Sequence, residues 1–63
     1  MRASECFEGQ VVRLETPMNP AMANMVGNKY IVKGLTDRGE VRVAPEGLDD
    51  WVTVISPAHL EPD

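Results

Sequence analysis

Cysteine and histidine occur once each in this chain, as Cys6 and His59, and the aromatic residues are limited to Phe7, Tyr30 and Trp51. A lone cysteine closes no internal disulfide, and no set of Cys, His and carboxylates has the spacing of a zinc site, so neither usual staple of small proteins is at hand. Three aromatics also supply little of the base stacking, worth roughly 1–3 kcal/mol per base, on which single-stranded nucleic acid binding relies. No apolar run approaches the roughly 18 residues of a membrane helix, and the first nine residues lack the apolar stretch of a secretory leader. The expectation is a soluble, cytoplasmic protein with no membrane partner. Gly27, Gly34, Gly39 and Gly47 lie too far apart to form a phosphate-cradling loop.

What is present describes an ordinary globular composition. Of 63 residues, 43% are hydrophobic and 25% charged, too apolar for a disordered chain. The length allows one domain, residues 1–63, and a domain of this size buries only about 60% of its unfolded surface. Stability must therefore come from a tight apolar core or from self-association. The net charge of −4 disfavours generic polyanion binding, yet its distribution is uneven. Lys29, Lys33, Arg38 and Arg42 make the middle of the chain basic, whereas Glu46, Asp49, Asp50, Glu61 and Asp63 leave residues 44–63 acidic with no base among them.

Along the chain the periodicity is mostly that of strands. Gln10 to Leu14 alternates, with Val12 and Leu14 sharing one face. Asn19 to Tyr30 interrupts the β pattern with a short helix: Asn19 is placed to cap through its side chain, Pro20 occupies the first helical position, and Gly27 supplies the left-handed stop. Met18, Met22 and Met25 then follow at i, i+4 and i+7, a stripe on one side of that helix. Tyr30 to Leu35 alternates again, with Tyr30 and Val32 on one face. Thr36-Asp37-Arg38-Gly39 has the residues of a type I turn followed by a left-handed glycine, closing a hairpin onto Glu40 to Ala44, where Val41 and Val43 point inward. Leu48 is the apolar residue of a polar loop and is expected to fold back over the core edge. Trp51 to Ile55 reads as a strand with apolar residues on both faces, covered at least partly on each. Ser56-Pro57 opens one helical turn that lets Leu60 plug the core, and Glu61 to Asp63 are expected to fray. Phe7 and Tyr30 are the aromatics expected in the core. The fold class is thus mainly β: a small antiparallel barrel of four to five strands, with one short helix in the first long connection and a C-terminal helical turn.

The run Phe7-Glu8-Gly9-Gln10-Val11-Val12-Arg13-Leu14, the Asp37-Arg38-Gly39 hairpin, and Trp51 followed by Pro57-Ala58-His59-Leu60-Glu61-Pro62 resemble the Src-homology-3-like small β-barrels of short bacterial and phage proteins. The resemblance covers roughly the whole chain through generic motifs. The acidic, aromatic-rich first loop by which eukaryotic signalling members bind proline-rich peptides is not matched, since methionines and asparagines stand there. Proline-rich recognition is accordingly not implied, and the fold alone does not select a function.

Few residues offer chemistry. A catalytic reading would rest on Cys6 and His59 as a nucleophile and base, against the simpler reading of an inert thiol and a surface imidazole. Glu46, Asp49 and Asp50 lack calcium-loop spacing and read as a solvated acidic loop. No enzyme activity, cofactor, metal or small-molecule substrate is expected. Two surfaces remain. One is an adaptable apolar patch of Met18, Met22 and Met25 with Trp51 and Ile55, suited to a protein partner or a second copy of the chain, as in an accessory or inhibitory module, against the simpler reading of the methionines as a lid on the barrel core and Trp51 as a core-edge indole. The other is the basic central hairpin, Lys29, Lys33, Arg38 and Arg42, suited to nucleic acid. The first is preferred on net charge.

Overall fold

The computed structural model describes residues 1–17 and 19–63. Five strands form one antiparallel sheet: β1 (Val11–Leu14), β2 (Lys29–Leu35), β3 (Val41–Pro45), β4 (Thr53–Ile55) and β5 (Leu60–Pro62), in spatial order β4-β3-β2-β1-β5. Alternation sets the inner face, which carries Val12 and Leu14, Tyr30 and Val32, Val41 and Val43, Ile55 and Leu60 in a single buried cluster. Ile55 and Leu60 come from the two opposite edges of the sheet, yet neither is more than 1% exposed. Among the described residues only short 3₁₀ segments accompany the strands, so the sheet must curl over its own inner face to cover both edges. Extents of 25 × 23 × 20 Å agree with a curled sheet. Among the described residues no ladder joins β4 to β5, which leaves this barrel-like sheet open along one seam.

Two local devices produce the curl. The β2–β3 register slips between Val32 and Gly34, a bulge at Lys33 that sharpens the bend of β2. The hairpin turn that follows has the expected form: Gly39 N donates to the Thr36 carbonyl at 3.0 Å, Thr36 N donates to the Glu40 carbonyl at 2.9 Å, and Gly39 sits at φ 78°. The Thr36 hydroxyl accepts from Glu40 N at 3.1 Å, tightening the loop. Because φ is positive, Gly39→Ala is expected to destabilise the chain by about 1–2 kcal/mol although no atom lies within 4 Å of the added methyl. A urea midpoint shift with unchanged m-value is the measurement.

The helical insertion is present as a 3₁₀ segment, Pro20–Met25. Six residues are too few to hold an α-helix by themselves, and the segment is tied at its exit, where Gly27 N donates to the Leu14 carbonyl at 2.8 Å and Leu14 N donates to the Asn28 carbonyl at 3.1 Å. Asn19 does precede Pro20, but its side chain makes no cap; its main-chain carbonyl instead accepts from Met22 N at 3.0 Å. Gly27, at φ 91°, ends the segment as its left-handed preference requires.

Several expectations are corrected by the packing. Phe7 is 64% exposed, while Met1 and Cys6 from the same segment pack against the core. Leu48 does not fold back over the core edge and is about half exposed. The strand at Trp51 to Ile55 shrinks to Thr53–Ile55 and lies at a sheet edge, where Ile55 alone is buried. The final residues do not fray: Leu60–Pro62 pair with β1, because that strand's outer edge offers main-chain groups and Arg13 offers a cation to Glu61. Leu60 itself is fully buried, as the turn before it suggested.

Candidate protein interface

The ladders fix where each singled-out side chain goes. In the β1–β2 pair Arg13 stands opposite Lys29, a like-charge contact on the outer face, and the last strand relieves it. Glu61, opposite Arg13 in β5, forms an ion pair with it, and Asp63 lies 3.3 Å from Lys29 Nζ. The Glu61 hydrogen bond, then its charge, holds the Arg13 guanidinium above its ordinary pKa. Lys33 Nζ reaches Asp49 at 3.2 Å, tying the loop after β3 back to the bulge in β2. Of the four cations of the basic hairpin, Lys29 and Lys33 are thus matched to acids, and Arg38 and Arg42 have no ion-pair partner among the described residues.

The methionine stripe divides. Met18 lies outside the described residues. Met22 and Met25, three residues apart on a 3.0-residue repeat, share a side of the 3₁₀ segment and pack half-buried against the core. They act as a lid over the inner face. Ile55 belongs to the core, because it faces Val41 across the β3–β4 ladder, so it offers no contact surface. Trp51 is different: it is 70% exposed, the most exposed of the large hydrophobic residues among those described.

Trp51 has apolar neighbours that sequence reasoning missed. Leu48, Val52 and Val54 are between 39% and 52% exposed, so four exposed large hydrophobics fall within the seven residues that lead into and through β4. The signal was available in the alternation of Val52, Thr53 and Val54, which reads equally well as a doubly covered strand or as an uncovered edge. Sheet order resolves the choice, since among the described residues β4 is hydrogen-bonded on one side only, to β3. The opposite edge carries the devices that blunt unwanted pairing, a proline at Pro62 and a charge at Glu61, whereas Trp51 to Ile55 has neither.

The remaining chemistry is sparse. Cys6 packs against the core with its Sγ 3.5 Å from the Arg2 carbonyl. Burial pushes its pKa up, the N-terminal ammonium pulls it down, and Glu5 pushes it up; the net rise makes it a weaker nucleophile at neutral pH. His59 Nδ1 lies 2.9 Å from Thr16 Oγ1, and its carbonyl accepts from Glu15 N at 2.7 Å, so it fastens the chain after β1 to the turn before β5. Among the described residues no three of His, Cys, Asp and Glu come together in a group able to hold a metal ion, and no pocket is formed. No protein-family model, curated protein or solved structure matches the chain.

Proposed function

We propose that this chain is a Src-homology-3-like small barrel, of the bacterial or phage kind, that works in the cytoplasm as a non-enzymatic protein–protein interaction module. The observation that carries this reading is the apolar free edge: Leu48, Trp51, Val52 and Val54 are exposed on and beside a strand whose outer hydrogen-bonding side has no partner among the described residues. Exposed apolar side chains set along an open ladder are the two components of recognition by strand addition, main-chain bonds for affinity and alternate side chains for specificity. An accessory or inhibitory role suits a chain that offers a surface and little reactive chemistry.

Site-specific crosslinking in the cells that make the protein tests this. A photoreactive benzophenone side chain in place of Trp51 is expected to give a crosslinked product of discrete mass, and the same group in place of the exposed Glu8 is expected to give none. Equal labelling at both positions, or no product at position 51, would sink the proposal.

A further inference from the structure

The β4 edge can be taken further, on the interaction reading above, to the chemistry of the strand that fills it. We propose that the occupant is an extended segment of another protein that pairs antiparallel with β4, sets apolar residues at alternate positions against Val52 and Val54, and carries lysine or arginine at its C-terminal end.

The alternation follows from the ladder. Val54 stands opposite Arg42, which puts it on the outer face, and Val52 lies two residues before it. Both are exposed, at 39% and 49%. A strand laid along β4 places its own residues opposite these on the same face, one apolar residue for each valine with a single residue between them. Antiparallel pairing is preferred to parallel because its hydrogen bonds run straight across and hold slightly better per residue.

The charge follows from the loop before β4 and the turn beyond it. Glu46, Asp49 and Asp50 lie in the loop, all exposed, and among the described residues the cation tied to them is Lys33, through Asp49 at 3.2 Å. Three acids against one lysine leave this end of the edge negative, with Glu46 and Asp50 lacking an ion-pair partner among the described residues. At the other end the hairpin turn and the residue opposite Val54 contribute Asp37 and Glu40 against Arg38 and Arg42, which cancel. An incoming strand therefore meets an acidic start and a neutral finish. A cation is favoured at the end that comes beside Asp50, which in an antiparallel pair is the partner's C-terminal end, and charge matched at one end also fixes the direction of docking. In this chain β4 is followed by Ser56, Pro57 and Ala58, so a second copy of β4 brings no cation of its own to that place.

Titration of the ¹⁵N-labelled full chain with synthetic peptides, capped at both ends, tests the proposal. The joint is a single short strand, so Thr-Val-Thr-Val-Thr-Lys-Lys is expected to bind weakly, with a dissociation constant of about 1 mM, and to move the amide signals of Val52 to Val54. The peptide Lys-Lys-Thr-Val-Thr-Val-Thr has the same composition and charge and should bind at least about fivefold more weakly, the scale of two exposed charge pairs. In a chain carrying Glu46→Gln and Asp50→Asn, both at exposed positions, the two peptides should bind alike. N-methylation of the central Val-Thr-Val removes the main-chain donors and should abolish the shifts. No shift up to about 5 mM peptide, equal or reversed affinities of the two peptides for the wild-type chain, a preference that survives the double substitution, or shifts that survive N-methylation would each overturn the proposal. If the peptides fail while crosslinking at position 51 in cells still yields a discrete product, the interaction reading stands with an occupant of other chemistry, and a product of twice the chain's mass would make that occupant a second copy. If crosslinking yields none as well, both fall.

Discussion

Shortening the chain to end at His59 is expected to leave it unfolded, with a far-UV circular dichroism spectrum lacking the sheet signal and collapsed amide dispersion in a ¹H–¹⁵N correlation spectrum. A chain of this length has a total stability of about 3–9 kcal/mol. Removing a buried leucine side chain alone costs about 2–5 kcal/mol, and Leu60 is completely buried among residues of the other strands. The same deletion takes away the ladder to β1 and leaves Arg13 opposite Lys29 with neither Glu61 nor Asp63 to offset the repulsion. Leu60→Ala in the full chain separates the contributions: a chain that is destabilised but still folded in the cold would assign the remainder to the ladder and the ion pairs. A truncated chain that keeps a native spectrum would show that β5 is an accessory to the fold.

Tyr30→Ala and Phe7→Ala should differ by several kcal/mol, although both remove one aromatic ring. Tyr30 is the largest of the fully enclosed side chains, 2% exposed, and lies on β2 opposite Val12 on one side and Pro45 on the other. Truncating a buried aromatic costs about 3–5 kcal/mol, enough to unfold most of a domain this small. Phe7, 64% exposed, should change stability by no more than about 0.5 kcal/mol when truncated. Urea denaturation of the two variants measures the contrast. A costly Phe7→Ala or a neutral Tyr30→Ala would place the core elsewhere.

Both aromatics stand in segments whose sequences advertise them unequally, and the difference explains how far the fold was legible. Tyr30 sits in an alternating run, Tyr-Ile-Val-Lys, so its face is set by the same period that sets Val32. Phe7 has no periodic neighbours, and size alone assigned it inward, while the smaller Met1 and Cys6 took the contact. The hairpin was legible because turn chemistry is local: Gly39 and the Thr36 hydroxyl close it within five residues. The final strand was not, because pairing with β1 joins residues some fifty positions apart, as in Val12 with Pro62, and no local pattern records it. The same gap hid the interface candidates. Val52 and Val54 could be called covered or bare only once β4 was known to be an edge, and Ile55 could be separated from Trp51 only by the ladder to Val41. The methionine stripe was drawn for a different reason, on the α-helical spacing, whereas the segment that holds Met22 and Met25 follows a 3₁₀ repeat.

The position of Leu60 has a consequence for how this protein is born. β1 is made well before β5 and finds this second partner only once Leu60–Pro62 have been synthesised, so the inner face cannot close before then. Until then Val12, Leu14, Tyr30 and Val32 are bare to solvent, a window in which chaperones or neighbouring nascent chains compete for them. Closure depends on contacts distant in sequence, which places this small domain among the slower folders for its length.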